Sequence, residues 1–178
     1  MLVQIVKRVD GGGVLRCTRD DGSVTWQTQG RHAPFFALHD LTHFAVETTL
    51  GFRRGFFGLM AEGWDAEDTT GKGARGPLPE DACEAERIVG LFDAERASGV
   101  IWTVDKFNQY APQMVSRQLT TEEIARVKAK RSELFERWFA LPADATLELF
   151  YPAGLGVENS LVTAAPTKAR KKPSSGKR

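Results

Sequence analysis

Apolar and polar residues alternate through the first thirty positions of the chain. Short runs rich in Val, Ile, Thr and Trp are separated by Asp-Gly sequences, which are typical of tight hairpin turns because Gly accepts a positive φ. The pattern predicts strands over residues 2–9, 13–19 and 23–29, joined as an antiparallel meander. Because side chains alternate between the two faces of a strand, we expect helices to cover one face of this sheet.

The spacing of apolar positions becomes helical after Pro34. Proline suits a first helical turn, where its missing N–H would have no partner, and residues 34–49 contain no further Gly or Pro. Similar patterns predict helices over residues 52–64, 80–98, 103–110 and 120–140. The last of these begins with a capping box, Thr120 followed by Glu123. Its predicted buried side chains are Ile124, Val127, Leu134, Phe135, Trp138 and Phe139.

The remaining segments complete a predicted α+β fold. Residues 65–79 contain three Gly and two Pro and are expected to form a loop that can act as a lid or bind a partner. Residues 145–151 alternate again, which predicts one last strand joined to the N-terminal meander. We therefore expect a single α+β domain over residues 1–152, with this sheet packed against about four helices. An extended, disordered basic tail is expected over residues 153–178.

Composition and charge restrict the classes of partner. At 178 residues, of which 42% are hydrophobic, the chain is long enough to bury a substantial core. The formal charge of +1 hides an asymmetry, because residues 168–178 carry six basic side chains and no acid, and without them the formal charge is −5. A mildly acidic body argues against nucleic-acid binding by the folded part. Attraction to nucleic acid or another polyanion is expected only at the tail.

The ends of the chain and its cysteines suggest a cellular location. The first residues become charged at Lys7 and are typical of a strand rather than a signal peptide. Two cysteines, Cys17 and Cys83, are too few for the disulfide framework of a secreted protein. No apolar run approaches the roughly 20 residues needed to span a bilayer. We therefore expect a cytoplasmic protein that does not cross a membrane.

The candidate chemistry lies in a short window that contains all three histidines. His39, His43 and Glu47 follow one another at intervals of four, and a rotation of about 100° per residue places them on one stripe of a helix, with Asp40 beside it. Imidazole and carboxylate groups are common ligands of divalent metal ions. We therefore predict a divalent metal, with zinc favoured, bound by these two histidines and Glu47.

Such a site predicts metal-dependent hydrolysis. Three protein ligands leave a position for water, and the metal lowers the pKa of that water towards about 7. Asp40 and Glu62 are predicted to assist catalysis, and Glu84 and Glu86 are further candidate ligands from neighbouring helices. The HExxH pattern of zinc proteases is not present, because Asp40 follows His39 where that pattern has Glu.

The sequence also leaves two other functions open. A polar helix face also collects His, Asp and Glu for ordinary contacts between side chains four positions apart. In that case the protein is a non-catalytic binding or interaction domain, whose meander and 65–79 loop contact a small molecule or a protein partner. A third hypothesis places nucleic-acid binding in the basic tail. The sequence names neither the substrate nor the partner.

Overall fold

A computed structural model of the chain describes residues 1–10, 12–30, 33–71, 73–110 and 118–152. The α+β fold class is confirmed, with three N-terminal strands and one C-terminal strand in a single sheet, and with five described helices against an expected four or so. The elements are β1 (Leu2–Lys7), β2 (Gly13–Thr18), β3 (Val24–Gln29), α1 (Ala33–Leu50), α2 (Phe56–Ala61), α3 (Glu80–Ser98), α4 (Val104–Tyr110), α5 (Thr121–Ala140) and β4 (Thr146–Phe150).

The sheet is antiparallel throughout, with the strand order β3-β2-β1-β4. The last strand therefore pairs with the first, and Leu2 stands opposite Phe150 in their register. Beyond the paired residues, the backbone N–H of Tyr151 donates to the carbonyl of Met1 at 2.9 Å. This pairing fixes Tyr151 beside the first residues of the chain.

Helices cover one face of the sheet. The inward positions of the two central strands include Val3, Ile5 and Leu15, all fully buried. Helix α1 packs against both α3 and α5, so α1 lies at the centre of the helical layer. Burial of this apolar surface from both layers is the main favourable contribution to folding. The inward side of β3 is polar instead, with Thr25 and Gln29 buried.

Helix α5 begins at the predicted capping box, but one side chain that the sequence predicts to be buried is exposed. The hydroxyl of Thr120 accepts from the N–H of Glu123, whose carboxylate accepts from the N–H of Thr120, so the capping box is confirmed. Phe139 was expected in the core but is 64% exposed. The core stripe of the helix runs through Leu134 and Trp138, and Phe139 lies about 100° further round the helix from Trp138.

Helix α2 is shorter than predicted, occupying Phe56–Ala61 instead of residues 52–64. Gly51 ends α1 with a φ of 77°, and Gly63 follows α2 with a φ of 98°. Both values lie in the left-handed region that Gly adopts readily, so the chain turns at these points. Residues 52–55 form the connection that brings the first turn of α2 against α1.

Other sequence-based expectations have mixed outcomes. None of the described helices is long and apolar enough to cross a membrane. Cys17 and Cys83 are both free thiols, and Cys17 is buried. The expected 65–79 loop contains a short 3₁₀ turn at Asp68–Thr70. The predicted tail lies outside the described residues, as does His32, the third histidine of the window that also contains His39 and His43.

Candidate metal centre

The predicted polar stripe forms on α1 and faces its neighbours α2 and α3. Glu47 and His43 are buried, with 0% and 2% of their surface exposed, while the side chain of His39 retains 24% exposure. The apolar residues Leu41 and Ala45 are fully buried on the other side of the helix. One side of α1 therefore joins the core, and the other carries titratable groups into the contact with α3.

Both imidazoles turn their Nε2 atoms towards one carboxylate, that of Glu86 on α3. His43 Nε2 lies 2.9 Å from Glu86 Oε2, and His39 Nε2 lies 3.8 Å from Glu86 Oε1. One possible ligand atom from each of these three residues lies within 4.8 Å of the other two. The three side chains can therefore hold a metal ion between them.

Each imidazole is also held from behind by a second carboxylate. His39 Nδ1 lies 2.8 Å from Asp93 Oδ2, and His43 Nδ1 lies 3.2 Å from Glu47 Oε1. When Nδ1 carries the proton and donates it to such a carboxylate, the lone pair of Nε2 is free to bind a metal. Histidine ligands in metalloproteins commonly have this arrangement, in which the carboxylate also orients the ring.

The structure places Glu47, the predicted third ligand, behind His43. Its Oε2 accepts from the backbone N–H groups of Phe57 at 3.1 Å and Gly58 at 3.2 Å, and it lies 3.0 Å from the Tyr151 hydroxyl. Oε1 faces Nδ1 of His43. With its carboxylate in these contacts, Glu47 is suited to orienting His43, and Glu86 supplies the carboxylate on the Nε2 side.

Gly55 allows this close packing around Glu47. A Cβ atom at position 55 would lie 2.3 Å from Cδ of Glu47, a distance that real Cβ contacts do not show. Only glycine therefore fits between the carboxylate and the start of α2. Helix α2, with Gly55 before its first turn, therefore packs directly against the buried carboxylate of Glu47.

The two predicted catalytic residues lie away from the Nε2 atoms. Asp40 faces the sheet, and its Oδ2 accepts a 2.5 Å hydrogen bond from the side chain of Gln29. Burial raises the pKa of Asp40 to about 6, although the hydrogen bond from Gln29 acts in the opposite direction. Glu62 is on the surface, where its carboxylate pairs with Arg54 Nε at 3.0 Å. Neither carboxylate contacts an imidazole.

Sequence reasoning included Glu86 among several possible partners and did not single out Asp93. The two residues are seven positions apart on α3, so they lie on one side of that helix two turns apart, as a pair matching His39 and His43. The spacing is visible in the sequence. The contact between this side of α3 and the stripe of α1 cannot be predicted from that spacing, because it depends on how the two helices pack.

Negative charge dominates the cluster and shifts its protonation. Burial lowers the pKa of His43, but hydrogen bonds and charge from Glu47 and Glu86 outweigh this and raise it to about 10. The hydrogen bond from His43 in turn lowers the pKa of Glu86. For Asp93, burial acts to raise the pKa, yet the contact with His39 leaves it lowered. Three carboxylates around two imidazoles therefore attract either protons or a metal cation.

The cluster reaches solvent at Glu86, and each imidazole has an aromatic ring beside it. The side chain of Glu86 is 58% exposed, so water reaches the carboxylate that both Nε2 atoms face. The ring of Phe35 stacks on His39 with centroids 6.2 Å apart, and Phe56 lies 5.2 Å from the ring of His43.

Comparison of the chain with protein-family models, with curated proteins and with solved structures found no match. The α+β class does not point to an activity either, because similar architectures carry many unrelated functions. The geometry of the cluster itself is therefore the basis for inferring a function.

Proposed function

We propose that the protein binds a divalent transition-metal ion through Nε2 of His39, Nε2 of His43 and the carboxylate of Glu86, and that the metal activates water for hydrolysis. The observation that supports this most strongly is the orientation of the two imidazoles. Both direct Nε2 at the same carboxylate, while each Nδ1 faces a carboxylate of its own.

The ligand set favours zinc among the common divalent metals. Two imidazole nitrogens and one carboxylate oxygen suit zinc, and three protein ligands leave the fourth tetrahedral position for water. In metal-dependent hydrolysis the ion acts as a Lewis acid without a change of oxidation state, a role that suits zinc. Ferrous iron also accepts two histidines and one carboxylate, so the metal content of the protein is an essential measurement.

Other residues have supporting roles in this proposal. Asp93 and Glu47 hold the two rings and increase the basicity of their Nε2 atoms, as carboxylates behind metal-binding histidines do. A metal held by these three residues would lower the pKa of a bound water towards about 7, which would supply a hydroxide nucleophile near neutral pH. Phe35 and Phe56 provide apolar surface on either side of the position where a substrate would approach.

A second candidate is a non-catalytic role in which the cluster only joins helices. The observation that favours this role is that both ring nitrogens of His43 already face carboxylates, those of Glu47 and Glu86. With its pKa raised to about 10, metal-free His43 carries a proton at neutral pH and links α1 to α3 as an imidazolium. The protein would then be a binding or interaction domain, and the cluster would hold protons rather than a metal.

Metal analysis of the untagged full-length chain distinguishes these candidates. After expression in metal-supplemented medium, we expect about one ion per chain in the wild-type protein, as for a folded site with bound metal. His39→Ala, His43→Ala and Glu86→Gln should each retain less than about a tenth of that amount, since every variant removes one of three ligands. Asp81→Asn is the control, because Asp81 is an exposed acid on the same helix. Equal metal content in the wild type and in Glu86→Gln would contradict the proposed site.

Hydrolysis is tested separately on the metal-loaded protein. Chromogenic carboxylic esters and phosphate esters are incubated with the metal-loaded, chelator-treated and Glu86→Gln proteins. We expect turnover of one of these classes by the loaded protein alone, and Glu62→Gln should retain that rate. Stoichiometric metal without metal-dependent turnover of either class would reject the hydrolase while leaving the metal site intact.

A further inference from the structure

The sheet has a second face that no described element covers. Along each strand, the residues between the core-facing ones point away from the helices. Trp26 on this open face is 61% exposed and Phe150 is 78% exposed. Half of its twelve positions are apolar, namely Leu2, Val6, Val14, Val24, Trp26 and Phe150.

The orientation of β3 makes this face unusual. Thr25 and Gln29 are buried against the helices, whereas Val24 and Trp26 are exposed on the other side. A strand at the surface of a monomer normally places its apolar residues inwards and its polar residues outwards. Clustered apolar side chains on an exposed surface are typical of a contact with another macromolecule.

We propose that two copies of this chain pack together through their open sheet faces. In the register of the sheet, a two-fold axis parallel to the strands and midway between β1 and β2 places Phe150 of one copy opposite Val24 of the other. The same axis places Val6 opposite Val14 of the second copy. Apolar residues meet at these two pairs of positions, while Trp26 faces Glu148 and Leu2 faces Thr18 of the second copy. Each contact occurs twice, as a two-fold interface requires.

The positions of the charged residues on the open face favour this axis over a two-fold axis that runs across the strands. Its charged residues, Glu148 and Arg16, lie in one row across the sheet with Gln4 between them. The proposed axis leaves Glu148 offset sideways by about one strand spacing, 4.8 Å, from Arg16 of the second copy, and these two long side chains can meet across the roughly 10 Å between stacked sheets. An axis across the strands would instead stack Glu148 on Glu148 and Arg16 on Arg16. Opposite charges at short range favour the first arrangement.

The present contacts of these two side chains leave them available. Glu148 accepts a 2.7 Å hydrogen bond from the side chain of Gln4. The guanidinium of Arg16 makes no hydrogen bond or ion pair within the described part of the chain. Glu148 and Arg16 thus lie in one exposed row, and Arg16 has no partner among the described residues. This arrangement fits a contact with a second copy.

The size of the face sets the expected strength of the dimer. Four strands at about 4.8 Å spacing, with five or six residues of about 3.4 Å each, cover roughly 20 Å by 20 Å. This area is below the roughly 800 Å² per partner of a typical stable complex. We therefore expect association in the micromolar range. Single-stranded nucleic acid could also stack on Trp26, next to Arg16, whereas Glu148 at the far end of the same row opposes a polyanion.

Charge reversal provides a direct test with the full-length chain. Sedimentation equilibrium from about 1 to 200 μM should show a reversible wild-type dimer, in the range expected for a face of this size. Arg16→Glu and Glu148→Arg should each weaken dimerisation at least about tenfold, because each variant faces two like charges with itself. An equimolar mixture should recover the dimer, because the two variants restore both opposite-charge contacts. Phe139→Glu, an exposed site on α5, should dimerise like the wild type.

Several results would overturn the proposal. These are a monomeric wild-type protein at the highest concentration, dimers of the charge variants as strong as the wild type, or a mixture that stays monomeric. Loss of the dimer in Phe139→Glu would place the interface elsewhere. Binding of a poly(U) oligonucleotide by monomeric protein, lost in Trp26→Ala, would assign the face to nucleic acid instead.

Discussion

At the scale of single residues, the candidate site depends on the two nitrogens of each imidazole having different neighbours. Nδ1 of His39 faces Asp93 and Nδ1 of His43 faces Glu47, so both Nε2 atoms are available on the side of Glu86. This division separates the residues expected to bind a metal from those expected to orient the ligands. It can be tested by changing the orienting residues alone.

Asp93→Asn is expected to weaken metal binding without removing a ligand. The amide oxygen still accepts a hydrogen bond from His39, but the negative charge that increases the basicity of the ring is lost. Loss of such a carboxylate commonly lowers metal affinity by about 10- to 100-fold. The measurement is a competition titration with a chromophoric chelator, with Asp81→Asn as the matched control. Equal affinities of Asp93→Asn and the control would show that Asp93 has no part in the site.

Gly55→Ala and Gly90→Ala are expected to have opposite effects on stability. The new methyl group at position 55 would collide with the carboxylate of Glu47, whereas nothing lies within 4 Å of a Cβ at Gly90 in α3. We expect Gly55→Ala to lower the free energy of unfolding by about 1–3 kcal/mol, as overpacking does. Gly90→Ala should raise it by about 0.5–1 kcal/mol, because Ala is the better helix former. Urea unfolding measures both, and a neutral Gly55→Ala would contradict the close packing around Glu47.

At the scale of elements, local patterns predicted most of the fold. The hairpin turns, the helical stripe of α1 and the capping box of α5 depend on residues close in the sequence, and they were predicted from it. The early start expected for α2 was wrong, since Gly51 turns the chain and α2 begins only at Phe56. The contacts of Glu86 and Asp93 with the histidines depend on the register between α1 and α3. No local spacing specifies that register, so the sequence favoured Glu47 as the carboxylate ligand, gave Glu84 and Glu86 only as further candidates and did not indicate Asp93.

Glu95 supplies a second ionic contact between elements, away from the candidate site. Its carboxylate is 2.5 Å from Lys128 Nζ and 2.8 Å from a terminal nitrogen of Arg131, both on α5, and it accepts from the N–H of Trp102. Burial acts to raise the pKa of Glu95, but these partners outweigh it and the pKa is lowered. A lowered pKa means that the folded protein binds fewer protons here than the unfolded chain. The contact therefore stabilises the fold above the unfolded value of 4.5 and is lost as the pH falls through the lowered folded value.

Glu95→Gln is accordingly expected to destabilise the protein in a pH-dependent manner. At pH 7 the loss should be about 2–4 kcal/mol, because two cations lose a buried partner. The difference from the wild type should shrink as the pH falls below the unfolded value of 4.5 and through the lower folded pKa, where wild-type Glu95 becomes protonated. Urea unfolding at several pH values measures this difference. A difference that stays constant over that range would rule out Glu95 as its source.

At the scale of the whole molecule, the candidate metal site and the proposed dimer face lie in different layers of the fold. The candidate metal site lies between α1 and α3, while the proposed dimer face is the side of the sheet away from all described helices. Sequence patterning could identify which strand residues share a face. It could not identify which face the helices cover, because the buried side of β3 is its polar side, with Thr25 and Gln29.

Metal binding is expected to raise thermal stability independently of dimerisation. A ligand at about 100 times its dissociation constant stabilises the folded state by about 2.7 kcal/mol, which for a chain of this size corresponds to a rise in Tm of roughly 5–10 °C. Scanning calorimetry should show this rise with zinc and its reversal with a chelator. Arg16→Glu should show the same shift, and Glu86→Gln should show none. An equal shift in Glu86→Gln would mean that zinc binds elsewhere.

The most direct test of the account is an anomalous difference map from crystals of the zinc-loaded full-length protein. We predict one peak between Nε2 of His39, Nε2 of His43 and the carboxylate of Glu86, about 2.0–2.2 Å from each ligand atom. Glu47 and Asp93 should remain on the Nδ1 sides of the rings. A map without a peak at this position, or with its principal peak at other residues, would contradict the assignment of the cluster as a metal site.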